Sequence, residues 1–143
     1  MIIHFCEGRD KIARAIQLAT LSNWSHVAAE IGGVVYEATM ADGVIRRSAE
    51  SFYKSYPDRE STYITCNDHK ALAFFNEQLG KEYDYKALVA LPLRVTWEDE
   101  DKWFCSELIA KALVRSGALY VSHELSRITP RDLWLSRQIK WIK

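Results

Sequence analysis

The sequence predicts an α+β fold, with an antiparallel β-sheet or barrel packed against helices. Three observations lead there. Short β-prone runs recur, several segments carry apolar residues at helical spacing, and the two kinds are mixed without a regular βαβ repeat. A regular repeat would build a parallel sheet, whereas this order favours antiparallel strands with helices packed on them.

Residues 2–6, IIHFC, read as the first strand. In DKIARAIQLAT, residues 10–20, Ile12, Ala15, Ile16 and Ala19 recur at helical spacing and Asp10 is placed to cap the start. Asn23 and Ser25 break that pattern. Residues 26–39, HVAAEI-GG-VVYEAT, read as a hairpin turned on Gly32-Gly33. Asp42-Gly43 leads into a further strand, GVIRR, then a short helix over 48–55 and another strand in STYITC, 61–66. Asn67 or Asp68 caps a helix running to about Leu79, which Gly80 ends. YDYKALVALPL is partly helical until Pro92, and the acidic stretch 94–102 reads as a surface loop. A strong helix spans about 104–116, stopped by Gly117, and Thr129-Pro130 opens a short helix in TPRDLWLS. The tail QIKWIK alternates like a strand. The length, 143 residues with no internal repeat, suits one domain over 1–143.

Composition limits the function. Nineteen basic residues balance nineteen acidic ones, and no Lys/Arg cluster is interleaved with aromatics, so direct nucleic-acid binding is not expected. Charged residues interrupt every apolar run near the N-terminus, and no segment reaches the ~18 apolar residues of a span. Stable membrane insertion is therefore not expected, and a cytoplasmic location is. The three cysteines, at 6, 66 and 105, form no CxxC pair, which fits reduced thiols better than disulfides or zinc. Cys6 and Cys66 sit in apolar or β-branched runs and read as small buried residues. His4, His69 and His123 have no ligand spacing, so neither metal nor cofactor is expected, and His69 and His123 read as solvated.

Two places carry reactive residues. In the 104–116 helix, Cys105, Leu108, Ile109, Ala112 and Leu113 form an apolar stripe, while Glu107, Lys111 and Arg115 line the other face. Cys105 thus lies in the first turn, facing inward, where unpaired N–H groups and the positive dipole end favour a thiolate. The plain alternative is a core residue that happens to begin a helix. In the hairpin, His26, Ala28, Glu30, Val35, Glu37 and Thr39 share one face; Glu37 lies diagonally across from His26, and Glu30 further along the same strand. By itself that face would also suit solvent.

The ordered motifs SHVAAEI, VYEAT, GKEYDY, WFCSELIAKAL and ITPRDL resemble the circularly permuted branch of the NlpC/P60 (papain-like) superfamily, above all its YiiX-like proteins. In that branch the histidine strand precedes the cysteine helix. The resemblance runs from Ile2 to about Leu135 and implies Cys105 as nucleophile, His26 as base and Glu37 as the residue orienting it. It also places Tyr83 near the active site, where its hydroxyl could reach an oxyanion. Ser106 adjoins the nucleophile but lacks a GxSxG setting. Lipid acyltransferase relatives usually carry a second histidine where this chain has Glu37, which favours the YiiX-like side. The activity implied is a cysteine hydrolase of peptide or amide bonds acting on a small-molecule, peptide or acyl substrate. A thioesterase or acyltransferase on lipid-like acyl groups, and a non-catalytic binding module on the same fold, are the alternatives.

Overall fold

The computed structural model describes residues 1–87, 101–119, 125 and 128–138. In chain order the elements are β1 (Ile2–Cys6), α1 (Lys11–Thr20), β2 (His26–Ile31), β3 (Val34–Thr39), β4 (Gly43–Ser48), α2 (Ala49–Ser55), β5 (Arg59–Tyr63), α3 (Asp68–Gln78), β6 (Glu82–Tyr83), β7 (Lys102–Trp103), α4 (Cys105–Arg115) and α5 (Pro130–Gln138). The fold is α+β. Five strands form a sheet in the order β4-β3-β2-β1-β5, and every neighbouring pair is antiparallel.

Local chemistry explains the boundaries. The Asp10 carboxylate accepts the N–H groups of Ile12 and Ala13, both at 2.8 Å, and so starts α1. Gly32 and Gly33 both take positive φ, 59° and 80°, as a two-residue hairpin turn demands. Asn67 caps α3 through Lys70, and Gly80 follows it with φ 84°. Pro130 takes the first position of α5, where its missing N–H costs no hydrogen bond.

Two expectations are corrected. The last strand of the sheet covers 59–63, not 61–66. Its length is set by its partner: β1 pairs Ile2 with Tyr63 and Cys6 with Arg59, and beyond that Ile64 N–H donates to the Met1 carbonyl as the chain turns into the core. The start of the acidic 94–102 stretch lies outside the described residues, but its end is not loop. Lys102-Trp103 forms a parallel bridge with Glu82-Tyr83. Two-residue strands are too short for any periodicity to announce them. The expected end of the 83–92 segment beyond residue 87 and the tail strand beyond Gln138 also lie outside the described residues.

Both faces of the sheet are covered. On one, Ile3, Phe5, Val27, Ala29, Tyr36, Ala38 and Val44 pack with α3 and α4 residues such as Phe75, Leu108 and Ile109. Tyr36 and Phe75 stack there with centroids 4.8 Å apart, an arrangement worth about 1 kcal/mol beyond area burial. On the other face Cys6, Ala28 and Val35 lie under Phe52 of α2. The hairpin's polar side is therefore not a wet surface. Short α2 closes it, and His4, Glu30 and Glu37 are all buried beneath.

Gly43 fixes where β6 sits. Its φ is 70°, and a Cβ there would lie 2.2 Å from the Lys81 carbonyl oxygen. That close approach lets Val44 N–H donate to Lys81 and Gly80 N–H to Val44, which brings Tyr83 to the end of the sheet.

Candidate active site

His26 opens β2 and Glu37 lies near the far end of β3. The β2–β3 ladder pairs Ala29 with Tyr36, Glu30 with Val35 and Ile31 with Val34. Toward His26, β2 stays paired with β1, while β3 stays paired with β4 out to Thr39. The sheet thus opens between β2 and β3 at the end that carries His26, and α4 packs against both strands there. Across the opening, His26 Nε2 and Glu37 Oε2 are 2.7 Å apart. Cys105, the first residue of α4, is the other group that acts on the His26 imidazole. Since Nε2 is engaged by Glu37, Nδ1 is the nitrogen left for the thiol.

The electrostatics follow from that chain of contacts. Burial pulls the imidazole pKa down, but the hydrogen bonds to Cys105 and Glu37 and their charges outweigh it and raise it to about 10. Burial likewise opposes ionisation of Glu37, yet the bond to His26 and the Arg47 cation hold its carboxyl below the usual range. Arg47 Nε lies 2.6 Å from Glu37 Oε1. The pair is charge-to-charge rather than a well-aligned hydrogen bond, and neither atom has another such partner among the described residues. Tyr56 stacks on the imidazole, with centroids 5.0 Å apart and planes 19° from parallel.

The structure brings Cys105, His26 and Glu37 together. Cys105 is 1% exposed, and the N-cap before it, Phe104, makes no side-chain hydrogen bond, leaving the helix start uncapped. Tyr83 is buried nearby, its ring against Phe104 at 5.8 Å, and burial together with the Cys105 charge pushes its phenol far above the ordinary range. Ser106 points elsewhere: its hydroxyl donates to the Ile128 carbonyl and ties α4 to the chain before α5.

Glu30 belongs to a different network. Its Oε2 takes His4 Nε2 at 3.0 Å and the Tyr53 hydroxyl at 2.5 Å, while His4 Nδ1 lies 2.7 Å from Ser61 Oγ. Cys6 is buried and Cys66 half-buried with its thiol on Asp68, while His69 is exposed. Sequence reasoning missed Arg47 and Tyr56. Arg47 could have been found, because alternation along β4 puts it on the face of Glu37; Tyr56 could not, because it follows the last turn of a short helix.

With the geometry in hand, comparison with known proteins is informative. No protein-family model matches the chain, and no curated protein matches it significantly. Five chains of solved structures do match. One is the metalloprotein YiiX from Escherichia coli O157:H7, superposing with a TM-score of 0.66 at 21% identity over 85% of this chain and 68% of YiiX. The chain has the YiiX fold. That agrees with the resemblance read from the ordered motifs, and the YiiX fold accounts for the mixed layout of one antiparallel sheet between helices.

Proposed function

We propose that the protein is a cysteine hydrolase of the peptidase or amidase type, with Cys105, His26 and Glu37 as its triad. The observation carrying this reading is a buried carboxylate hydrogen-bonded to an imidazole on which the Cys105 thiol also acts. A nucleophile, a base and an orienting group within hydrogen-bond reach are what covalent acyl transfer requires.

In this reading the raised imidazole pKa leaves the thiol proton on His26 Nδ1 before substrate arrives, and Cys105 Sγ then attacks the substrate carbonyl carbon. The tetrahedral oxyanion sits against the backbone N–H groups at the start of α4, with the protonated Tyr83 hydroxyl as a second donor. Collapse breaks the carbon–nitrogen bond, His26 gives its proton to the leaving amine, and a thioester remains on Cys105. Water then attacks the thioester, losing a proton to His26, and the acid leaves as the thiol is restored. Glu37 accepts the Nε2–H throughout and stabilises the imidazolium.

YiiX is described as a metalloprotein. The residues around His26 here do not suit an ion. Glu37 has one oxygen on His26 and the other beside the Arg47 cation. Among the described residues no group of three or more His, Cys, Asp or Glu side chains gathers to hold one. No step of this reading runs through a metal.

The test is intact-mass labelling with a panel of amide, ester and thioester acyl donors, comparing the wild type with Cys105→Ala. The reading expects a mass gain equal to the acyl group, mapped to Cys105 and absent from the variant. Adducts that persist in Cys105→Ala, or none from any donor, would remove it.

A further inference from the structure

Arg47 is the group that the triad leaves unexplained. It stands on β4 beyond Glu37, with its Nε 2.6 Å from Glu37 Oε1. One of its terminal nitrogens donates to Ser55 Oγ at 2.9 Å, and its guanidinium carbon lies 5.1 Å from the Phe52 ring centre and 5.6 Å from that of Tyr56. A surface ion pair would swing freely, whereas this side chain is fixed at three places. Two of them, Ser55 and Phe52, are on α2, and the third, the Tyr56 ring, also stacks on His26. The carboxylate at its other end is 0% exposed, where an ionised group without a counter-charge is costly.

From this arrangement we infer that Arg47 is a positioning residue for the candidate triad: it keeps the buried Glu37 carboxylate ionised and turned so that Oε2 stays on His26. The inference rests on the reading of Cys105, His26 and Glu37 as the reactive set, but its primary readout does not. The mechanism is local. With one oxygen drawn to the guanidinium by charge, turning the other oxygen away from Nε2 costs energy. The cation also replaces solvent as the partner that makes ionisation possible. Lysine at this position would keep the charge but lose the planar contact with Phe52 and Tyr56.

The groups that face Glu37 define how the test must be read. They are His26 on β2, Arg47 on β4, Cys6 on β1 and Tyr56 after α2, while Cys105 on α4 acts on His26. Of these only Arg47 is a permanent cation, so removing it has one sign. The Glu37 carboxyl must titrate at higher pH, and the acid limb of any Glu37-dependent property must move up with it.

The experiment measures two quantities on the full chain for wild type, Arg47→Met, Arg47→Lys and the control Arg46→Met, whose side chain is exposed. The first is the titration of the Glu37 carboxyl carbon by NMR. The second is the rate of Cys105 alkylation by iodoacetamide against pH. We expect Arg47→Met to shift the Glu37 titration upward and to carry the acid limb of alkylation with it, Arg47→Lys to restore most of the first and less of the second, and Arg46→Met to change neither. Unfolding by urea is followed in parallel. A loss of stability in Arg47→Met with an unmoved Glu37 titration would mean a merely structural arginine and overturn the inference. If Glu37 shifts as expected while wild-type Cys105 is alkylated no faster than Cys66, the role of Arg47 stands and the reading of Cys105 as an activated nucleophile falls.

Discussion

Two glutamates project from the hairpin face that carries His26, and each is bonded to a different histidine. Glu37 reaches His26 at 2.7 Å, whereas Glu30 is held by His4 and Tyr53. Substitution separates their roles. Glu37→Gln keeps the shape but removes the charge and the acceptor facing Nε2–H, so turnover on any substrate found should drop by about a hundredfold or more with the fold retained. Glu30→Gln should leave turnover within a few-fold and instead cost about 2 kcal/mol of stability, because a buried charged acceptor with two partners is lost. Measuring kcat and the urea midpoint of both variants decides it. A large turnover loss in Glu30→Gln alone would show the triad assignment to be wrong.

Among the elements, the least conspicuous one places Tyr83, the candidate oxyanion donor. β6 is two residues long and lies where Gly43 allows the Lys81 carbonyl to approach the backbone of β4. In Gly43→Ala a Cβ would meet that oxygen at 2.2 Å, on a backbone with φ 70° that alanine adopts reluctantly. We expect a loss of about 2–3 kcal/mol and displacement of the 80–83 segment, read as a lower urea midpoint together with a changed fluorescence of Trp103, the partner of Tyr83. An unchanged midpoint would mean that β6 is not clamped at this point. α1 offers a contrast: its cap was legible because Asp10 lies beside the helix start, but the face it buries is Ala13, Ile16 and Thr20, whereas Ile12, Ala15 and Ala19 of the expected stripe are exposed.

For the whole molecule, three buried ionisable groups set the pH dependence of stability. Burial, outweighing its bond to Glu30, holds His4 below its ordinary value, so its contribution is present above about pH 6.5 and is lost as pH falls. Glu37, with its lowered pKa, adds a further loss at more acid pH. His26, raised to about 10, acts oppositely: its contribution is complete below about 6.5 and disappears as pH rises through 10. Stability should therefore peak near neutrality and decline on both sides. Urea midpoints from pH 4 to pH 10.5 check this, and Glu37→Gln should flatten the alkaline decline because the imidazolium then lacks its carboxylate. A wild-type curve still rising at pH 9 would contradict the assignment of a raised His26. No described helix is long and apolar enough to cross a membrane.

The sequence by itself determined the α+β class, the hairpin register from Glu30↔Val35 to Ile31↔Val34, and the inward start of the Cys105 helix. Each depends on residues close in the chain: a Gly-Gly turn, alternation with period two, and spacing with period 3.6. His26 and Glu37 were legible for the same reason, eleven residues apart across one turn. Only the tertiary structure decided that α2 roofs the polar face, that Glu30 belongs to His4, that Ser106 serves Ile128, and that Arg47 completes the Glu37 pair. Those outcomes depend on how separate elements pack. One carboxylate on a sheet face looks like another until the neighbouring strand and the covering helix supply its partners, and burial then makes those partners obligatory.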